Sequence, residues 1–201
     1  MKAKNSQRIG APQWMNPARN DETLALLQAH PEIEEVAFFI SATHVPLPLV
    51  EIQRRAAILA EVMPQYRKIG VRAGINHLAT VGHLDEHLDY SLNEDWQRMV
   101  DQNGNVAVGS FCLSDERMRD YVRQCYLAFA EAQPDFIWID DDWRMESHGG
   151  ISCACFCELC LQKWSEKTGT SWTRESLVAS FSEGTREAKL TARRAWLEHN
   201  R

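Results

Sequence analysis

No stretch of this sequence approaches the roughly 20 consecutive apolar residues that a membrane-spanning helix requires. The segment from Met1 to Ala18 carries Lys2, Lys4 and Arg8 but lacks the apolar core of a secretory signal, so a cytoplasmic location is expected. Positive charge is in the minority, with 22 Lys and Arg against 28 Asp and Glu, for a net charge of −6. No basic stripe interleaved with aromatics occurs before the last helical segment, which argues against a nucleic-acid binder. Low-complexity tracts are missing as well. The 44% hydrophobic and 25% charged content, with seven tryptophans, describes a folded chain with a core and sets aside the disordered and fibrous classes. Length is the last shortage: 201 residues fall below the roughly 250 of a complete eight-unit α/β barrel. A single domain over 1–201, forming the N-terminal half of a larger catalytic domain, is the expectation.

Cysteine, by contrast, is concentrated. Of six cysteines, Cys153, Cys155, Cys157 and Cys160 fall within one short segment, while Cys112 and Cys125 stand apart. Several thiols at fixed short spacing suit metal coordination, whereas Cys-x-Cys pairs are poor geometry for intrachain disulfides. Buried thiols without a ligand are the alternative, and Cys125, on an apolar helical face, reads as core. Shortly before this cluster stand three consecutive carboxylates, Asp140, Asp141 and Asp142.

The pattern between these landmarks is strand, helix, repeated. Val36 to Ile40 is a short continuous apolar run, as in a strand buried on both faces, within a segment from Glu35 to Ser41. Leu49, Ile52, Ala56, Leu59 and Met63 follow at helical spacing, in a helix bent or ended near Pro64 and stopped at Gly70. Val71 to Leu78 and Asn105 to Phe111 are further strands. Ser114, Asp115 and Glu116 then open a helix with Met118, Tyr121, Val122, Cys125 and Phe129 on one face. Phe136 to Ile139 is the fourth strand. Such alternation predicts the α/β class: four parallel strand-helix units with functional groups at the carboxyl ends of the strands. No Gly-rich phosphate loop follows the first strand, which disfavours a nucleotide-binding doubly wound sheet and favours a TIM-barrel-type, here partial, arrangement.

On three local patterns the sequence resembles glycoside hydrolase family 42, the β-galactosidases of the large retaining clan built on (β/α)8 barrels. Cys112-Leu113-Ser114-Asp115-Glu116-Arg117, with Tyr121 beyond, matches the family's Cys-x-x-Ser-type segment opening the third helix. Asp140-Asp141-Asp142 stands where the family has Asp-Asn-Glu at a strand end. Cys155, Cys157 and Cys160 with Trp164 match its Cys-x-Cys-x-x-Cys followed by an aromatic-bearing helix. The match covers mainly 105–180, and the cysteine spacing is its most specific part.

The resemblance implies a structural zinc held by Cys112, Cys155, Cys157 and Cys160, with Cys153 as a substitute ligand. It places the clan's acid/base glutamate at Asp142 and the sugar-holding asparagine at Asp141; both positions depart from the family. Aspartate is one methylene shorter, which sets the carboxyl back by about an ångström. Three crowded carboxylates should raise at least one pKa, as a general acid requires. Helix-capping or salt-bridging aspartates are the plainer alternative. His77, His83 and Glu86 after the second strand, and Trp143, Arg144 and His148 after the triplet, are candidate sugar contacts, with Trp143 as the stacking platform. For the histidines and Arg144 a solvated surface role is the alternative, and of Trp138 and Trp143, on opposite faces of the segment, the one that does not stack packs into the sheet. A carbohydrate substrate is thus the expected partner, and the amphipathic segment Thr185 to Arg201 reads as a solvated helix face, with a second copy or a C-terminal half as the alternative covering it. Two other readings stand beside the glycosidase: a noncatalytic carbohydrate-binding module and a zinc-stabilised interaction module.

Overall fold

The computed structural model describes residues 5–42, 44–82, 94–140 and 150–200. Along the chain they form β1 (Asn5–Ile9), α1 (Ala11–Trp14), α2 (Pro17–Ala29), β2 (Ile33–Phe39), α3 (Leu49–Lys68), β3 (Arg72–His77), β4 (Arg98–Val100), β5 (Val106–Phe111), α4 (Glu116–Glu131), β6 (Ile137–Ile139), α5 (Glu158–Thr168), α6 (Arg174–Ser180) and α7 (Arg186–His199). They divide into two compact units, one of the described residues up to 82 with 120–140, the other of 94–119 with 150–200.

The first unit is an α/β layer around a four-stranded sheet in the order β1-β2-β3-β6, every pair parallel. Val36, Ala37 and Phe38 are wholly buried, as a continuous apolar run in a parallel strand requires. Because side chains alternate, Phe38, Ile75 and His77 share one face, and helices cover it. The Phe38 ring meets Trp14 of α1 at 6.5 Å and Tyr66 of α3 at 4.9 Å, both edge to face. Tyr66 donates to Asn20 of α2 at 2.9 Å, which satisfies a phenol that burial would otherwise strand. The opposite face carries Arg8, Phe39, Gly74, Asn76 and Trp138. Only glycine fits at 74, since a Cβ there would stand 2.4 Å from the Phe136 ring.

The second unit holds the antiparallel pair β4-β5 and helices α5 to α7. The segment Asn105 to Phe111, expected as a third parallel strand, therefore pairs otherwise. The cause is local. Asp101 accepts from the backbone N–H of Asn103 and Asn105 at 2.8 and 2.9 Å, and Gly104 takes φ +89°, which closes a tight hairpin before any longer-range pairing is needed.

One boundary differs from expectation: β1 precedes the strand expected to be first. α3 passes through Pro64, with Met63 and Tyr66 on either side wholly buried, and stops before Gly70 as its spacing predicts. α4 opens at Glu116, where Asp115 accepts from the Arg117 N–H at 2.9 Å.

Candidate functional site

Cys112, Cys155, Cys157 and Cys160 are all buried, and their sulfur atoms lie within 4.8 Å of one another. Cys112 Sγ is 3.5 Å from Cys160 Sγ and 3.7 Å from Cys157 Sγ. Four sulfurs placed about 2.3 Å from a central ion form a tetrahedron with edges of about 3.8 Å, so the cluster can hold a metal ion with little adjustment.

Local structure sets each thiol. Cys112 leaves β5, its N–H bound to Gln97 O at 2.7 Å, its carbonyl accepting from Asp115 N–H and its sulfur from Ser114 N–H at 3.4 Å. Asp115 accepts in turn from Gln97 N–H, and the Arg117 guanidinium holds its carboxyl down at about 2. The turn bearing Cys112 is thereby fixed at both ends. Cys157 is the N-cap of α5 and Cys160 lies in its first turn, where the positive end of the helix favours thiolates. The strand end holds the preceding loop through Phe156 N–H to Val100 O at 2.7 Å and an Asp101–Ala154 bridge. Phe156 then packs on Trp196 at 5.1 Å and Phe181 at 6.2 Å.

Hydrogen bonds from Cys155, Cys157 and Cys160 hold the Cys112 thiol well below its usual range. Cys155 and Cys160 are pushed up, foremost by their bond to Cys112. One negative charge among buried thiols suppresses the next, and a divalent cation at the centre would let all four ionise. Cys153 stands half-buried outside the quartet, and burial lifts Cys125 to about 12, as suits an inert core thiol.

A second constellation sits at the carboxyl ends of the parallel strands. Asp140 directly follows β6, and its Oδ2 accepts from Arg8 Nη1 at 3.2 Å and Asn76 Nδ2 at 3.4 Å. The Arg8 guanidinium lies 5.0 Å from the Trp138 ring and 5.7 Å from the Phe39 ring, within cation–π range of both. His77, expected at this rim, points to the other face because it is one residue out of phase with Asn76. It is 1% exposed, packs edge-on against Tyr126 and Phe129, and burial lowers it to about 4. Asp141, Asp142, His83, Glu86, Trp143, Arg144 and His148 lie outside the described residues. Arg8 and Asn76 were not among the sequence candidates. Arg8 falls in a polar segment without strand periodicity, and Asn76 sits inside an apolar run where it reads as an interruption.

Searches of protein-family models, curated proteins and solved structures return no match to this chain.

Proposed function

We propose that this chain is a zinc-stapled, carbohydrate-active α/β domain of the barrel-glycosidase type, acting on a β-linked sugar such as a galactoside. The observation that carries the reading is the meeting of Cys112 with Cys155, Cys157 and Cys160: the resemblance to family 42 assigns these four to zinc, and they converge from positions more than 40 residues apart in the chain. Four thiolates select zinc among common divalent ions, and a closed tetrahedral set leaves the metal structural. The sheet order supports a barrel wall, because the strands follow one another without the reversal of a doubly wound sheet and the helices described above cover a single face.

In this reading, chemistry belongs to the carboxylates after β6. Asp142 is the proton donor to the leaving oxygen and Asp141 its neighbour on the sugar; Asp140, already accepting from Arg8 and Asn76, anchors the segment at the strand end. The test pairs composition with activity. Elemental analysis of protein prepared without chelator should give about one zinc per chain. Aryl β-galactosides should bind, and wherever they are turned over Asp142→Asn should reduce turnover by at least about a hundredfold, as removal of the general acid requires. Zinc near zero, or glycoside turnover indifferent to Asp142→Asn, would discard the corresponding half of the proposal. Sugar binding without turnover would select the noncatalytic module.

A further inference from the structure

We propose that Arg8, Asn76 and Asp140 form a clamp for two adjacent hydroxyl groups of a neutral sugar, at the carboxyl end of the parallel sheet. The inference deepens the carbohydrate reading above and rests on it.

The donors and acceptors match a diol. Arg8 is 48% exposed on its side chain, and its ion pair uses Nη1; Nε and Nη2 take no partner among the described residues. Asp140 is an acceptor with its side chain 18% exposed. Asn76 is wholly buried, and while Nδ2 points to Asp140, its Oδ1 receives no hydrogen from any described residue. Rotating the amide would set its oxygen against the carboxylate, so its orientation is chemically fixed with Oδ1 away from Asp140. A buried acceptor without a donor costs about 1–3 kcal/mol, so this atom is poised to take a hydrogen from a hydroxyl. One sugar hydroxyl can accept from Arg8 and donate to Asp140, while its neighbour donates to Asn76 Oδ1.

Charge selects the class of ligand. Among the described residues Arg8 is paired with Asp140, and Arg72 on the same sheet face with Glu35 at 3.0 Å. An anionic sugar would gain Arg8 only by facing Asp140, so neutral rings are favoured. The Trp138 and Phe39 rings hold the guanidinium plane in advance, which reduces the ordering that binding must impose.

Calorimetric titration of the full chain with methyl β-galactopyranoside, methyl β-glucopyranoside and methyl β-glucuronide decides the matter, with Arg8→Gln and Asn76→Ser alongside. Thermal melting serves as the fold control. The wild type should bind a neutral glycoside more tightly than the glucuronide, and each variant should weaken that binding by about tenfold or more. Should Asn76→Ser melt early because its site is buried, the exposed Arg8→Gln decides alone. Neutral-sugar binding untouched by Arg8→Gln would overturn the clamp and leave the carbohydrate reading standing. Preference for the glucuronide would overturn the neutral-diol assignment. Binding of none of the three would remove both this inference and the reading beneath it.

Discussion

His77 shows how one position can carry a pH dependence without touching a ligand. Its ring is enclosed by Tyr126 and Phe129, and the Tyr126 hydroxyl stands 3.3 Å from Nδ1, so charging the imidazole in place means burying a cation. Burial lowers its pKa from 6.5 to about 4. The folded state therefore binds the proton more weakly than the unfolded chain, and stability is full above about 6.5 and falls as pH drops toward 4. Between pH 7.5 and 5 the loss from this group should be about 2 kcal/mol. Urea midpoints of the wild type and of His77→Phe at the two pH values measure it: the pH-dependent drop should be smaller in the variant by that amount. Equal drops in the two proteins would show that His77 is not a source of the acid sensitivity.

At the scale of elements, the hairpin of β4 and β5 supports the cysteine cluster from a distance. Asp101 is 1% exposed, and its carboxylate binds the N–H groups of Asn103 and Asn105 and the Asn105 side chain at 2.9 Å, while its backbone bridges to Ala154, next to Cys155. Asp101→Ala should destabilise the chain by about 2 kcal/mol and weaken metal affinity by about tenfold, as loss of an outer support does. Competition with a chromogenic chelator reads the affinity; an unchanged value with a lowered melting point would confine Asp101 to the hairpin. The same hairpin marks where the sequence was legible and where it was not. β2 and β3 announce themselves as apolar runs because helices bury one face and both edges pair, whereas β6 reads as a buried strand but is only part-buried, with Ile139 54% exposed. β5 announces itself too, but its partner choice was hidden: Asn103-Gly104 is a strong hairpin signal, and the three residues of β4 are too few to show periodicity. β1 was invisible because an edge strand with only Ile9 buried needs little apolar sequence. Of the cysteine quartet, Cys155, Cys157 and Cys160 were legible from their spacing, while Cys112, distant in the chain, entered only through the family resemblance; the Arg8, Asn76 and Asp140 group depends on register across three strands that no local pattern encodes.

For the molecule as a whole, the placement of the metal ligands predicts an uneven response to its removal. All four cysteines belong to the unit of 94–119 with 150–200, and the residues that position them, Gln97, Val100, Asp101, Asp115 and Phe156, lie there too. That unit's apolar core is modest: Phe156, Trp164 and Trp196 meet around the cysteine loop, with ring centroids 5.1 to 5.7 Å apart. The parallel-sheet unit is held instead by Phe38, Tyr66, Ile75 and Phe129. Because metal-binding energy in such a site is folding energy, chelation should lower the stability of one unit selectively. Hydrogen exchange with and without chelator under reducing conditions gives the test. Amides of Val100, Phe156 and α5 should lose protection by at least about a hundredfold, while those of Val36 to Phe39 and Ala73 to His77 change little. A uniform loss across both sets would mean that the two units unfold as one and that the metal stabilises the entire fold; no loss in either would mean that the four thiols hold their geometry without an ion.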